Sequence, residues 1–168
     1  MHDISISLQD LKDTAHLAEL LSAHLKKADT LLLKGDLGSG KTTFAQFLIR
    51  ALIPTVSNVQ SPTFNIVNSY EDKKHTVSHL DLYRLKHQDE LLEIGLEEFL
   101  YNGITIIEWP ELAENIIHKN KITISFNNHF DSDARSLVLS ISGRFIYEES
   151  GLLQHIEREF NAKNRSKK

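Results

Sequence analysis

The sequence contains no cysteine among its 168 residues. This absence excludes a disulfide framework and any metal site built from thiolates. No apolar run approaches membrane-spanning length, and the first ten residues, MHDISISLQD, lack the charged start and the apolar middle of a signal peptide. We therefore expect a cytoplasmic protein that is not inserted in a membrane, an expectation with which the lack of cysteine is compatible.

The sequence also lacks a strong excess of either charge. Its 19 basic and 23 acidic residues give a formal net charge of -4 at pH 7, so no general positive field would draw the protein onto nucleic acid. Apolar residues make up 40% of the chain and charged residues 25%, which is ordinary for a globular protein. A chain of this length is expected to form one domain with a buried core.

Apolar runs that are typical of strands alternate with segments of helical periodicity. Strands separated by helices favour an α/β fold in which a mostly parallel central sheet carries helices on both faces. Residues 122–126 and 137–141 are expected to pair as a hairpin across NNHFDSDAR, which adds an antiparallel edge. Gly95 is expected to break or kink the third helix. The strand-like segments are 4–8, 30–33, 64–70, 76–82 and 103–109, and the helical ones are 11–25, 42–53 and 90–100.

The C-terminal residues differ in character from the rest. One helical face carries four large apolar residues, Leu152, Leu153, Ile156 and Phe160. This spacing predicts a terminal helix over residues 149–161, followed by the basic segment NAKNRSKK. A solvated tail is the simplest interpretation of that segment, and a weak contact with nucleic acid is the alternative. We assign residues 1–147 to a single domain and residues 148–168 to a C-terminal helix and basic tail.

A glycine-rich segment, GDLGSGKT at residues 35–42, joins a predicted strand to a predicted helix and fits the phosphate-binding pattern GxxxxGK[ST]. Glycines allow successive backbone N–H groups to point at phosphate oxygens, and the helix directs its positive dipole end at the same anion. Lys41 adds a positive charge for the β- and γ-phosphates, and the hydroxyl of Thr42 is placed to bind Mg²⁺. The segment therefore predicts nucleotide binding within a P-loop NTPase fold. The candidate phosphate-binding residues are Gly35, Asp36, Leu37, Gly38, Ser39, Gly40, Lys41, Thr42 and Thr43.

Two carboxylates end predicted strands at the edge of the sheet where open α/β proteins bind ligands. Asp81, within HLDLYRL, suits Mg²⁺ held directly or through water, although a surface acid at a strand end is the alternative. Glu108, within IIEWPE, ends the most hydrophobic strand, where a charge must be compensated by a metal, a cation or water. The sequence shows no cluster of histidines with metal-ligand spacing, because His79 stands alone before Asp81 and the others are scattered.

The segment SPTF, residues 61–64, follows the first crossover helix. Its Thr63 is placed to reach a metal or a γ-phosphate, as a switch-loop threonine does. A proline turn before a strand explains the segment equally well if it stands alone. Trp109, the single tryptophan, either packs against such loops or faces a partner, and we favour packing.

Taken in order, GDLGSGKTTF, SPTF, HLDLYRL and IEWPE resemble the bacterial TsaE family, the small ATPase of tRNA threonylcarbamoyladenosine biosynthesis. The phosphate loop is common to many families, whereas the combination of these segments at these separations is specific. The resemblance covers about residues 4–144, which is nearly the whole chain except the C-terminal helix and tail.

The resemblance implies roles for individual residues of an ATP site. The loop would enclose the ATP phosphates, with Lys41 on the β- and γ-phosphates. Thr42 and Glu108 would be the leading Mg²⁺ ligands, and Asp81 would lie in or next to the metal shell. Thr63 would sense the γ-phosphate, and Glu108 would also orient the attacking water.

The adenine contacts implied by the resemblance match no sharp motif. The family places the base near the start of the first helix, around Leu11 to Thr14, and near the loop before Arg135. The family usually has a GR dipeptide in or near that loop, where this sequence reads DSDAR.

The resemblance also implies partners. Members of the family join a complex of the transferase TsaD and its partner TsaB, where ATP hydrolysis supports repeated turnover. The modified base is the adenosine next to the anticodon in tRNAs that read codons beginning with A, so tRNA is involved indirectly. No arginine finger is evident near the loop, although Arg84 is a candidate that could equally pair with a nearby acid. We therefore expect hydrolysis to be slow without the partners.

Three other functions fit a phosphate loop. A small-molecule or nucleoside kinase typically covers the phosphates with an arginine-bearing lid, whereas the arginines here are spread thinly. A GTP-binding switch needs NKxD and DxxG, but NKIT at residues 120–123 lacks the acid and DLYR at residues 81–84 lacks the glycine. A scaffold that binds nucleotide without hydrolysing it is the third alternative.

Overall fold

The structure is a computed structural model that describes residues 2–117, 120–128, 135–148 and 151–166. The strands in these ranges are β1 (His2–Leu8), β2 (Thr30–Lys34), β3 (Val67–Glu71), β4 (Thr76–Asp81), β5 (Ile104–Glu108), β6 (Lys121–Asn128) and β7 (Arg135–Ser142). The helices are α1 (Leu11–Ser22), α2 (Lys41–Leu52), α3 (Asp89–Glu93), α4 (Leu96–Asn102), α5 (Arg144–Tyr147) and α6 (Leu152–Ser166), with a short 3₁₀ helix at Pro110–Leu112. None of the described helices has the length and apolar character needed to cross a bilayer.

The strands form one sheet in the order β1-β7-β6-β2-β5-β4-β3. Strands β6, β2, β5 and β4 are mutually parallel neighbours, which confirms the predicted parallel core. Strand β7 pairs antiparallel with β6, as the predicted hairpin requires, and β1 extends that edge. Residues 129–134, which connect β6 to β7, lie outside the described residues. Strand β3 is antiparallel to β4, so antiparallel strands occupy both edges of the sheet rather than one.

The connection between β3 and β4 explains the second antiparallel edge. Asp72 Oδ1 accepts hydrogen bonds from the backbone N–H groups two and three residues later, at 2.8 and 2.7 Å. So tight a turn can join only antiparallel strands, because a parallel pair needs a long crossover. Strand β3 also begins at Val67 rather than at the predicted residue 64, since the N–H of Ile66 donates to the carbonyl of Pro62 at 2.6 Å in a preceding turn.

Apolar residues of the sheet alternate between two buried clusters. Leu31 and Leu33 of β2 face a cluster that α1, α2 and α6 cover. Leu32 faces the opposite cluster, which α3 and α4 cover. Helices therefore lie on both faces of the sheet, as predicted. Gly95 adopts a left-handed conformation, with φ of 72°, between α3 and α4, which confirms the predicted break.

The C-terminal helix belongs to the larger of these clusters. Its four apolar residues on one face, Leu152, Leu153, Ile156 and Phe160, are all buried there. Helix α6 continues to Ser166, five residues beyond the predicted end at residue 161. Alanine, lysine and arginine support a helix without an apolar face, so periodicity alone underestimated its length.

Candidate functional site

The glycine-rich loop lies between the end of β2 and the start of α2, with Ser39 buried and Asp36 and Leu37 exposed. Gly35 and Gly40 have φ of 137° and 104°, values that other residues rarely adopt. A Cβ atom on Gly35 would lie 2.7 Å from the carbonyl oxygen of Phe126. The two glycines at the ends of the pattern are therefore required by backbone conformation, and the first also by a close approach.

Lys41, the first residue of α2, is buried inside this loop. Its Nζ donates to the carbonyl oxygens of Gly35 at 2.6 Å and of Asp36 at 2.9 Å. Burial lowers the pKa of Lys41, although the nearby carboxylates of Glu108 and Asp81 act in the opposite direction. The loop thus holds an ammonium group at its centre, beside the N-terminal end of a helix, which is an arrangement that attracts anions.

Two of the predicted metal ligands are in contact. The hydroxyl of Thr42 donates to Glu108 Oε2 at 2.8 Å, and Glu108 is buried at the end of β5. Asp81 is the direct neighbour of Glu108 in the β4–β5 register. The hydroxyl of Thr63 donates to Asp81 Oδ2 at 2.8 Å. The four predicted polar residues therefore meet at the carboxyl edge of the parallel core, directly beside Lys41.

This donor set fits Mg²⁺. Thr42 Oγ1 and Glu108 Oε2 are hard oxygen atoms at the mouth of the loop, and Asp81 supplies further oxygens next to them. In the described part of the chain, no three histidine or acidic side chains form a cluster able to hold a metal by themselves. A magnesium ion here would complete its shell with water and phosphate oxygens, which is how this ion usually binds at phosphate sites.

The two predicted adenine residues lie on one cleft beside the loop. The guanidinium of Arg135 packs against Gly40. A Cβ atom at position 40 would lie 3.2 Å from the central carbon of that guanidinium. Leu11 is an exposed residue at the start of α1. The cleft has a volume of about 530 Å³ and is lined by Gln9, Asp10, Leu11, Lys12 and Arg135. The structure thus brings Leu11 and Arg135 together next to the phosphate loop.

Thr43, the last of the predicted phosphate-binding residues, lies partly buried in the first turn of α2.

No role for His79 follows from the sequence, but the structure places this residue in the site. Its Nε2 lies 2.8 Å from Glu108 Oε1, and the residue is 0% exposed. The period of two along a strand puts His79 and Asp81 on the same face of β4. The alternation along β4 is visible in the sequence. The contact with Glu108 depends on the register between β4 and β5, which the sequence does not show.

Aromatic side chains cover one side of the site. The ring centroids of Tyr83 and Trp109 are 4.8 Å apart, and Lys41 Nζ lies 4.0 Å from the centroid of the indole ring. Trp109 has a left-handed backbone conformation, with φ of 55°. Its backbone N–H donates to the carbonyl oxygen of Leu33 at 3.2 Å. The partly buried tryptophan therefore packs against Tyr83 and Lys41.

A parallel core with helices on both faces, and a glycine loop that leads from a central strand into a helix around a buried lysine, define a P-loop-type α/β protein. Residues 8–137 match the family model described as "Threonylcarbamoyl adenosine biosynthesis protein TsaE". The chain belongs to the TsaE family.

Individual relatives agree with this assignment. A tRNA threonylcarbamoyladenosine biosynthesis protein TsaE from Rickettsia conorii is 33% identical over 90% of this chain and 86% of that protein. Its namesake from Bacillus subtilis is 31% identical over 91% and 93%. The match to the Rickettsia felis protein of the same name is 41% identical over 66% of this chain and spans 64% of that protein. The crystal structure of Bacillus subtilis YdiB superposes with a TM-score of 0.73 and 27% identity, covering 94% of this chain and 96% of that one.

Proposed function

We propose that this protein binds ATP with Mg²⁺ and hydrolyses it, in support of the threonylcarbamoylation of adenosine next to the anticodon of tRNAs that read codons beginning with A. The observation that carries the proposal is the contact of Thr42 Oγ1 with Glu108 Oε2, at 2.8 Å, at the mouth of a glycine loop that encloses Lys41. The names of its relatives from Rickettsia conorii and Bacillus subtilis support the tRNA-modification role.

We assign each residue of the site a separate role in nucleotide binding or hydrolysis. Lys41 would exchange its hydrogen bonds with loop carbonyls for phosphate oxygens, because a full negative charge is the better acceptor. Thr42 and Glu108 would hold Mg²⁺, with Asp81 in or next to its shell, and the ion supplies neutralisation of charge on the β- and γ-phosphates. Glu108 would also orient the attacking water, and Thr63, held by Asp81, would contact the γ-phosphate. Hydrolysis transfers the γ-phosphoryl group to water and leaves ADP.

The partners we propose are TsaD and TsaB, with tRNA engaged through them. Three exposed apolar side chains belong to the segments that form the site. Leu37 and Phe64 are each 86% exposed and Tyr83 is 60% exposed, and they lie on the phosphate loop, beside Thr63 and beyond Asp81. Large exposed apolar groups of this kind are typical of a protein-binding surface. A partner bound there would complete a site whose hydrolysis is slow in isolation.

The test measures Mg²⁺-dependent ATP binding by calorimetry and ATP hydrolysis with and without TsaD and TsaB. We expect binding, slow hydrolysis by the protein alone, faster hydrolysis in the complex, and loss of turnover in Lys41→Ala. The matched control is Lys34→Ala, because Lys34 pairs with Glu114 outside the loop and its variant should retain turnover.

Three results would count against this function. The absence of adenine-nucleotide binding in the presence of Mg²⁺ would remove the proposal altogether. Equal turnover by the isolated protein and the complex would remove the dependence on partners. Transfer of the γ-phosphate to a small acceptor faster than to water would favour a kinase instead.

A further inference from the structure

The imidazole of His79 is in contact with the carboxylate of Glu108 from the side opposite to Thr42. Nε2 lies 2.8 Å from Oε1, whereas the hydroxyl of Thr42 bonds to Oε2. The two oxygens of one buried carboxylate therefore have two different partners. Within the described ranges, the other ring nitrogen of His79, Nδ1, is buried without a hydrogen-bond partner.

The contact with Glu108 favours one position for the imidazole proton. An ionised carboxylate only accepts hydrogen bonds, so the nitrogen that faces it must be the donor. A proton on Nδ1 would leave a buried N–H without an acceptor among the described residues, which costs more than an unshared lone pair there. The tautomer that matches these contacts carries a proton on Nε2 and none on Nδ1.

We infer that His79 is a positioning residue for Glu108. This inference rests on the proposed function, because it assigns His79 a part in presenting Glu108 to Mg²⁺ and nucleotide. The hydrogen bond from Nε2 holds Oε1 and leaves Oε2 directed at Thr42, where the metal and phosphates would bind. A metal at Thr42 Oγ1 would bind through a lone pair of the hydroxyl, which could still donate its proton to Oε2. Thr42 and His79 would then restrain the two oxygens of the carboxylate from separate strands and loops, and the bond from His79 is the restraint that lies outside the metal shell.

The geometry supports positioning through a rigid element rather than a mobile loop. His79 lies on β4 and Glu108 on β5, and these strands are parallel neighbours, neither of which is an edge strand of the sheet. A ligand carboxylate that is held by an outer hydrogen bond loses about tenfold to a hundredfold in metal affinity when that bond is removed. His79 is thus expected to act on the Mg²⁺-dependent part of nucleotide binding and to leave the loop contacts of Lys41 unchanged.

The first test observes the tautomer directly, by ¹⁵N NMR of histidine-labelled protein without nucleotide or Mg²⁺. The signal of His79 among the nine histidines is identified by its absence in His79→Gln. A proton on Nε2 and none on Nδ1 is the expected result. A proton on Nδ1 would overturn the inference, whatever the protein does with ATP.

The second test measures ADP and ATP affinity in excess Mg²⁺ and again in EDTA. His79→Leu removes the donor, while His79→Gln places an amide N–H at the same number of bonds from the backbone as Nε2. We expect His79→Leu to lose about tenfold to a hundredfold of the tightening caused by Mg²⁺, with its affinity in EDTA unchanged, and His79→Gln to restore much of that loss. The control is Ser78→Ala, because Ser78 is a buried neighbour on the opposite side of β4. This variant should keep the wild-type ratio of nucleotide affinity in Mg²⁺ to nucleotide affinity in EDTA.

The outcomes separate this inference from the proposed function. A wild-type ratio in His79→Leu, or a His79→Gln variant as defective as His79→Leu, would overturn the positioning role while ATP binding itself stands. Nucleotide binding that is absent in the wild-type protein would overturn the proposed function, and the NMR result would still decide the contact between His79 and Glu108. If His79→Leu does not fold, His79→Gln and the tautomer measurement decide the question.

Discussion

The ammonium group of Lys41 lies against the indole ring of Trp109, with Nζ 4.0 Å from the ring centroid. A cation over an aromatic face is stabilised by about 0.5–2 kcal/mol, depending on how far it is desolvated. Trp109 follows directly after Glu108, so one short segment supplies both the acid that we propose as a metal ligand and a cover for the lysine. Because the chain contains a single tryptophan, its fluorescence reports on this site alone.

We expect Mg²⁺–ATP to change the emission of Trp109, because Lys41 must leave its present contacts to reach phosphate. In Lys41→Met the cation is removed while the length of the side chain is kept, so the emission without nucleotide should already differ from that of the wild type. Fluorescence spectra of both proteins, with and without Mg²⁺–ATP, provide the measurement. Identical spectra for the two nucleotide-free proteins would show that the ammonium does not contact the ring in solution.

Glu108→Gln should abolish Mg²⁺-dependent hydrolysis but preserve ADP binding. The amide keeps the size of the side chain and an oxygen that can accept from His79, but it lacks the charge through which we propose that Glu108 binds Mg²⁺ and orients the attacking water. We expect the loss of a group that orients the attacking water to lower the rate about a hundredfold or more. Steady-state turnover and ADP calorimetry are measured side by side, with the exposed acid Glu111 changed to Gln as the control. Wild-type turnover in Glu108→Gln would leave Glu108 with a structural role only.

The parts of the fold with a local signal could be predicted from the sequence. The run ITIIE predicts a buried strand and is one, β5. The spacing of glycines and Lys41 predicts a strand–loop–helix unit, and each glycine at the ends of the pattern has the backbone conformation that such a loop needs. Gly95 likewise marks a helix break through a property of one residue.

Apart from the hairpin of β6 and β7, the particular neighbours and register of the strands could not be predicted. The contact of His79 with Glu108 arises only because β4 pairs with β5 at one particular register. Arg135 reaches Gly40 from the far strand of a hairpin, where no periodicity connects the two positions. The second antiparallel edge depends on the turn at Asp72, whose side chain accepts two backbone hydrogen bonds. The sequences of β3 and β4 do not themselves indicate whether the two strands pair in a hairpin.

Asp72 gives that turn a pH-dependent stability. Two backbone N–H groups bonded to its carboxylate lower the pKa of Asp72 below its ordinary value of 3.8. A lowered pKa means that the folded state favours the charged form, so the stabilisation is present above pH 3.8 and is lost as pH falls through the lowered value. Asp72→Asn should therefore be less stable than the wild type at pH 7, and the difference should shrink below pH 3.8.

Urea unfolding of both proteins at a series of pH values measures this difference. The control is Glu71→Gln, which removes a neighbouring acid whose side chain is exposed at the end of β3. A difference between Asp72→Asn and the wild type that stays constant on acidification would mean that the charge of Asp72 does not stabilise the turn.

Phe160→Ala tests whether the C-terminal helix is part of the domain or an appendage to it. Phe160 is 1% exposed, its ring centroid lies 5.8 Å from that of His16 on α1, and it belongs to the same buried cluster as the central strands. Truncation of a buried phenylalanine costs about 3–5 kcal/mol of unfolding free energy, and we expect that loss in the single main transition. Glu157→Ala, at an exposed position of the same helix, should stay within about 0.5 kcal/mol of the wild type. An unchanged main transition in Phe160→Ala would separate residues 148–168 from the domain, because a helix that contributes to a common core cannot lose its largest buried side chain without destabilising the strands beneath it.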